Sequence, residues 1–253
     1  MKVVILAGGF GTRLSELTSV IPKPMVEIGG KPILWHIMNS YANYGYNEFI
    51  IALGYKGEVI KKYFLDYFFN NSDFKVNLSD GSFTNLSKNS LNWKITCIDT
   101  GLNTMTGGRI KRLEKYLDSP FMLTYGDGLS DINIKNLKDQ HERSDSILTM
   151  TTIHPSSRYG KVVFDNNNIV TKFQEKPKFG GDWINGGYMV VEPEIFKFLH
   201  SDDEVLEERP LKHLSDIGKV SVFKHEGFWH CMDNLRDKNT LEDIWNSGEA
   251  PWK

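Results

Sequence analysis

Cysteine is scarce in this chain of 253 residues, with Cys97 and Cys231 its only two. Two thiols so far apart exclude a disulfide framework and a cysteine zinc site. Net charge is scarce as well. A formal charge of −2 leaves no global cationic field for nucleic acid or an anionic membrane, so any phosphate binding has to be local. No apolar run reaches membrane-spanning length. The start, Met1-Lys2-Val3-Val4-Ile5, runs straight into a strand pattern with no signal-peptide pattern ahead of it, so the expected location is the cytoplasm. Two phosphate-binding motifs are missing too. There is no G-x-x-x-x-G-K-[ST], and Gly9-Phe10-Gly11 is followed by Thr12-Arg13-Leu14 with no third glycine where a dinucleotide fingerprint needs one. Neither a Ser-His-Asp nor a Cys-His arrangement stands out.

What is present is concentrated in the first twenty-five residues. Val3-Val4-Ile5-Leu6-Ala7 has the pattern of a buried strand, and it empties into Gly8-Gly9-Phe10-Gly11-Thr12-Arg13. Glycine allows positive φ and lets amide N–H groups approach an anion with no Cβ in the way. Pro22-Lys23-Pro24-Met25 follows, with two prolines restricting the backbone on either side of one lysine. The plain alternative for the glycines is a tight turn. Against it, Arg13 and Lys23 supply two cations beside them.

Further along, apolar positions Ile33, Leu34, Ile37, Met38 and Tyr41 recur at helical spacing until Gly45. Phe49–Leu53 is the next strand, and another helix runs to about Phe69. Strand, helix, strand, helix predicts a mainly parallel sheet with covered faces. Residues 70–92 break the pattern and suggest a polar loop outside the core. Lys94–Asp99 and Phe121–Tyr125 continue the sheet, the latter ending in Gly126-Asp127-Gly128. An aspartate at the carboxyl end of a parallel strand sits where open α/β sheets bind ligands. Taken alone it would more often be a cap or turn residue. The pair Gly107-Gly108 opens a helix, which offers N–H groups to an acceptor-rich ligand or is only a helix start. Beyond a helix at 133–143 and a strand at 147–153, residues 161–174 read as a hairpin. Helices are expected from Pro193, over 211–217 and over 234–245, with a strand at 220–223.

Taken together, Leu6–Leu14 and Pro22-Lys23-Pro24-Met25 resemble the signature of the sugar-1-phosphate nucleotidyltransferases. The resemblance implies an α/β fold, Rossmann-like, with a mixed, mainly parallel sheet flanked by helices (the nucleotide-diphospho-sugar transferase fold) and a small β-rich sugar-binding part. It also implies one domain over 1–253, with a nucleotide-binding half to about 145 and a sugar-phosphate half after it. In that family the glycine loop (Leu6, Ala7, Gly8, Gly9, Gly11, Thr12) wraps the nucleoside triphosphate, Arg13 and Lys23 meet its phosphates, and Thr104, Gly108, Arg109 and Gly126 complete the nucleotide site. Asp127 and Asp233 are implied Mg²⁺ ligands. Tyr159, Gly160, Glu175, Lys176 and Asn185 match the sugar-phosphate half, where the lysine meets the phosphate while the glutamate and asparagine touch hydroxyls.

The loop Met105–Arg112, together with Gly227-Phe228-Trp229, Met232-Asp233 and Ala250-Pro251-Trp252-Lys253, is most similar to the glucose-1-phosphate cytidylyltransferases of that family. The implied partners are CTP and glucose 1-phosphate, with no nucleic acid or membrane, and a homo-oligomer is expected. The implied product, CDP-glucose, feeds deoxysugars of surface polysaccharide such as O-antigen or capsule. Departures are Asn103-Thr104 where serines are common, Leu17 at an expected acidic position, and His230-Cys231 in place of a polar-proline pair. A thymidylyl- or uridylyltransferase and a non-catalytic nucleotide-sugar sensor stay open as alternatives. A sugar phosphate is largely ionised near neutrality, its second pKa being about 6, so its attack on a nucleotide α-phosphorus needs no general base. Positive charge and alignment are what the site must supply.

Overall fold

The computed structural model describes residues 1–87, 91–155, 160–174 and 182–253. Its centre is a seven-stranded sheet built from β1 (Val3–Ala7), β2 (Glu48–Leu53), β3 (Lys94–Asp99), β4 (Phe121–Tyr125), β5 (Leu148–Ile153), β6 (Ile184–Val191) and β7 (Val220–His225). The strands lie in the order β7-β5-β6-β4-β1-β2-β3. All run parallel except β6, which is antiparallel to both β4 and β5. This is the mixed, mainly parallel arrangement expected from the sequence.

The five residues of β1 are all buried, as a strand with both faces covered requires. Val3, Ile5 and Ala7 join one core, with Ile33, Leu34, Ile37 and Met38 of the helix Ile33–Ala42, whereas Val4 and Leu6 join another, with Ile110, Leu113, Ile195 and Leu214. The two-residue period of the strand therefore feeds a helical layer on each side. Burying this apolar surface is the main force holding the sheet between its layers. In β1 and β4, Leu6 stands opposite Tyr125. The glycine loop and Gly126-Asp127 consequently leave the sheet side by side at its carboxyl edge.

Three expectations change. Residues 70–92 are not simply a loop: Phe74–Val76 and Phe83–Asn85 pair as an antiparallel hairpin. The polar turn at 77–82 had hidden the alternation. The helix expected from Pro193 is a tighter 3₁₀ segment, Pro193–Phe198. Gly128, placed by the sequence only in the stretch that ends the Phe121–Tyr125 strand, begins a short strand Gly128–Ser130 that pairs antiparallel with Trp229–Cys231. The predicted hairpin at 161–174 forms, with Lys161–Phe164 against Val170–Gln174. The last helix, Leu235–Asn246, begins with a capping box in which the Asn234 side chain and Asp237 satisfy each other's backbone N–H groups. No helix among the described residues is long and apolar enough to cross a membrane.

Candidate active site

Ala7 ends β1, and the chain then turns through Gly8–Gly11 into a 3₁₀ turn, Thr12–Leu14. Gly11 takes φ +64°, and a Cβ there would come within 2.9 Å of Thr18 Cγ2 and 3.2 Å of Lys23 Cβ. Glycine is therefore required both by the backbone and by the approach of the lysine segment. The Thr18 hydroxyl donates to the Gly11 carbonyl at 3.0 Å and fixes the turn. Under this loop lies a cavity of about 440 Å³, lined by Leu6–Arg13, Lys23, Pro24, Leu102–Thr106, Arg109 and Tyr125–Asp127. Its volume is in the range of small-molecule sites.

Arg109 forms part of the cavity wall, but the residue is only 5% exposed. Nη1 donates to the Leu53 carbonyl at 3.0 Å, Thr100 Oγ1 at 2.8 Å and the Gly101 carbonyl at 2.6 Å. Nη2 donates to the carbonyls of Gly8 at 2.9 Å and Leu102 at 3.2 Å. One cation thus ties together the glycine loop, the end of β2 and the loop after β3. Burial lowers its pKa, as does nearby Arg112, yet a guanidinium stays charged at any working pH.

Lys23 Nζ reaches Asp127 Oδ2 at 2.6 Å and Asp233 Oδ1 at 3.0 Å, while Arg13 Nη1 meets Asp233 Oδ2 at 2.9 Å. The two aspartates, distant in the chain, are brought together by the Gly128–Ser130 and Trp229–Cys231 ladder. Met232 N–H donates to the Asp127 carbonyl at 2.9 Å and extends that pairing. For Lys23, burial pulls the pKa down, but the charge and hydrogen bond of Asp127 outweigh it and hold the amine above its ordinary value. For Asp233, burial pushes the carboxyl up, and Lys23, with help from Arg13, brings it below the usual range. Both groups are charged at neutral pH.

Asp127, Cys231 and Asp233 place one potential metal-ligand atom each within 4.8 Å of one another. A cation already bridges the carboxylates in the form of the Lys23 ammonium, and two hard oxygens suit a divalent ion that also binds phosphates. The Cys231 thiol is pushed well up by burial and by Asp127. It therefore offers S–H rather than thiolate to the site. The donor set thus fits a metal held by Asp127 and Asp233.

A second cavity, about 260 Å³, shares Arg13, Tyr125 and Asp127 with the first, and adds Asn185, Gly186, Gly187, Tyr188, Trp229, Cys231 and Asp233. The structure therefore brings Leu6, Ala7, Gly8, Gly9, Gly11, Thr12, Arg13, Lys23, Thr104, Arg109, Gly126, Asp127, Asn185 and Asp233 to two adjoining cavities. Gly108 is buried against the backbone of Asp202 rather than in either wall. Gly160 is described but lines neither cavity. Tyr159, Glu175 and Lys176 lie outside the described residues. Tyr125 and Trp229 were given no site role from the sequence, although Trp229 stands in one of the motifs that carry the resemblance. Trp229 reaches the second cavity by donating from Nε1 to the Gly186 carbonyl at 2.7 Å.

The nucleotidyl transferase family profile matches residues 2–226. That covers the whole lining of the first cavity and all of the second except Trp229, Cys231 and Asp233. The chain belongs to the nucleotidyl transferase family. Among relatives of this nucleotidyltransferase, the glucose-1-phosphate cytidylyltransferase of Salmonella typhi is 48% identical, covering 100% of this chain and 99% of that one. The probable glucose-1-phosphate cytidylyltransferase of Bacillus subtilis is 44% identical over the same shares. The solved structure of HddC from Yersinia pseudotuberculosis, complexed with GMP-PN, superposes with a TM-score of 0.68 at 26% identity, over 96% of this chain and 99% of that one. The enzyme thus has the nucleotide-diphospho-sugar transferase fold anticipated from its motifs, and families of this kind use a divalent metal.

Proposed function

We propose that this nucleotidyltransferase moves the cytidylyl group of CTP onto α-D-glucose 1-phosphate, forming CDP-glucose and pyrophosphate. The observation that carries this reading is the meeting of two cavities at one charged junction of Arg13, Lys23, Asp127 and Asp233. A nucleotide under the glycine loop and a sugar phosphate near Asn185 would face each other across it. The cytidylyl and glucose assignments draw on the full-length relatives.

In this reading residues 1–145 form the nucleotide half and residues 146–253 supply the sugar-phosphate half. The backbone N–H groups of Gly8–Gly11 and the side chain of Arg13 hold the triphosphate, and Lys23 neutralises the charge that grows on departing pyrophosphate. Lys176, Glu175, Tyr159, Gly160 and Asn185 hold the sugar phosphate, and Thr104 and Gly108 support the base loop. Asp127 and Asp233 would hold Mg²⁺, which when bound polarises the phosphoryl oxygens and offsets their charge. An oxygen of the sugar phosphate attacks the α-phosphorus, and the bond to pyrophosphate breaks on the opposite side. Because the nucleophile is already ionised, the chain's residues need only align it. Such substrates place the enzyme in the cytoplasm.

Pyrophosphate release, followed with glucose 1-phosphate, Mg²⁺ and each nucleoside triphosphate in turn, tests the assignment. CTP is expected to give a kcat/KM at least about tenfold above dTTP or UTP, the discrimination of roughly one well-placed contact. Equal or better turnover with dTTP or UTP would replace the cytidylyl reading. No turnover with any of them would favour a sensor, against which both aspartates and both cations argue.

The reading includes a homo-oligomer. In the ribbon around residues 161–174, Val162, Val163, Phe164, Ile169, Val170 and Phe173 are all exposed. A two-stranded ribbon with no layer beneath it among the described residues is marginal in water, and a second copy of the chain would supply that layer. Light scattering on the eluting protein should give an integer multiple, above one, of the chain mass. A monomer at micromolar concentration would reject this part.

A further inference from the structure

Tyr125 is one of three residues common to the walls of both cavities, with Arg13 and Asp127. The ring lies over Gly187, whose φ is +81° and where a Cβ would come within 2.7 Å of Tyr125 Cδ2. Its hydroxyl sits in a chain of hydrogen bonds that runs from one cavity to the other. On the sugar side, Asn185 Nδ2 approaches Tyr125 Oη at 3.4 Å, and Asn185 Oδ1 accepts from the Gly187 N–H at 2.8 Å. On the other side, Tyr125 Oη donates to Glu207 Oε1, and Glu207 Oε2 accepts from Thr106 Oγ1 at 2.7 Å. Thr106 lines the first cavity.

Glu207 is itself outside both cavities, and its position is not left to chance. The segment carrying it is pinned to the start of the helix Thr106–Lys111. Met105 N–H donates to the Asp202 carbonyl at 2.8 Å, Gly107 N–H to the Glu204 carbonyl at 2.8 Å, and Leu206 N–H to Thr106 Oγ1 at 2.9 Å. Arg112 forks onto Asp202, with Nε to Oδ1 at 2.8 Å and Nη2 to Oδ2 at 2.5 Å. An exposed carboxylate on a free loop would hold nothing. A carboxylate on a braced one, taking a phenol on one oxygen and a threonine on the other, fixes the direction of the phenol.

We infer that Glu207 is a positioning residue: from the nucleotide side it holds the Tyr125 ring as a wall common to the subsites, and so shapes the pocket that receives the sugar 1-phosphate. This rests on the proposed assignment of the second cavity to the sugar phosphate. Loss of the carboxylate frees the ring to rotate away from Asn185, and the sugar pocket loses one wall. The nucleotide pocket keeps its geometry, because Thr106 Oγ1 remains anchored by the Leu206 N–H.

The test compares Glu207→Ala, Glu207→Gln, Tyr125→Phe and the double variant Glu207→Ala/Tyr125→Phe by steady-state kinetics. Each is assayed with the sugar 1-phosphate and nucleotide that the wild type uses best. A wild type preferring other substrates therefore counts against the proposed function, while the KM split among variants decides the role of Glu207. Glu207→Ala and Tyr125→Phe should each raise KM for the sugar 1-phosphate about tenfold, the effect of one lost charge-assisted contact, with KM for the nucleotide within about twofold. The double variant should be no worse than either single one, since both break the same link. Glu207→Gln keeps an oxygen for the phenol and should recover most of the loss, which a generally loosened loop would not do. Unchanged sugar KM in Glu207→Ala, equal rises in both KM values, or effects that multiply in the double variant would each overturn the inference.

Discussion

Asp127→Asn is expected to leave a folded enzyme whose kcat is lower by on the order of a thousandfold, the scale on which electrostatic stabilisation of a charged transition state is lost when a principal contributor goes. The fold should tolerate it. Asp127 lies just beyond β4 at the carboxyl edge and is half-buried. Its carbonyl, which the substitution keeps, holds the Met232 N–H. Lys23 loses its 2.6 Å partner but keeps Asp233 at 3.0 Å, so the partly buried ammonium is not left unpaired. The stability cost should be about 1 kcal/mol, that of one charge-assisted bond replaced by a neutral one. Thermal melting together with turnover across a Mg²⁺ titration checks both halves. A folded Asp127→Asn protein with wild-type, Mg²⁺-dependent turnover would remove Asp127 from the metal site.

Arg109→Ala should act in the opposite way, mainly on stability. The guanidinium donates to five acceptors in three segments of chain. Not all are orphaned by its loss. The Leu53 carbonyl still accepts from the Thr100 N–H and hydroxyl, and the Gly8 carbonyl from the Tyr55 N–H. What remains is a large buried void and several lost charge-assisted bonds, which together should cost about 3 kcal/mol. For a chain of this size that is a fall in Tm of roughly 6–12 °C. Arg109→Lys should rescue little, because a single ammonium with three donors cannot span acceptors on three segments. If Arg109→Ala melted with the wild type and changed only the KM for CTP, the residue would be a direct nucleotide contact and not a brace.

These two residues also show how far the sequence could be read. Asp127 was legible because its signal is local: an apolar strand, a glycine on each side, and a position at the carboxyl edge that parallel sheets reserve for ligands. Arg109 was legible as a member of the site but not in what it does, since sequence does not say which way a side chain points. The Gly128–Ser130 and Trp229–Cys231 pairing could not be seen at all. Strands of three residues carry almost no periodicity, and the partner of Gly128–Ser130 lies far along the chain, at Trp229–Cys231. The same holds for Tyr125 and Glu207, which meet only through the tertiary structure. The hairpin at 74–85 failed for a local reason, because its polar turn diluted a weak alternation.

That short ladder has a further consequence, for the order in which the protein acquires its function. Asp233 follows the Trp229–Cys231 strand, and that strand's ladder, extended by the Met232 N–H, sets it beside Asp127. The β1, β2 and β4 core can assemble while the chain is still emerging from the ribosome, since vectorial synthesis releases amino-terminal segments first. The pairing that completes the carboxylate couple joins Gly128–Ser130 to Trp229–Cys231 across a long intervening segment, and has to wait until that later strand has been made. A nascent chain can therefore present a formed glycine loop, able to meet nucleotide, well before it has the second carboxylate. Competence for chemistry therefore arrives later than the glycine loop, with the closing of three residue pairs.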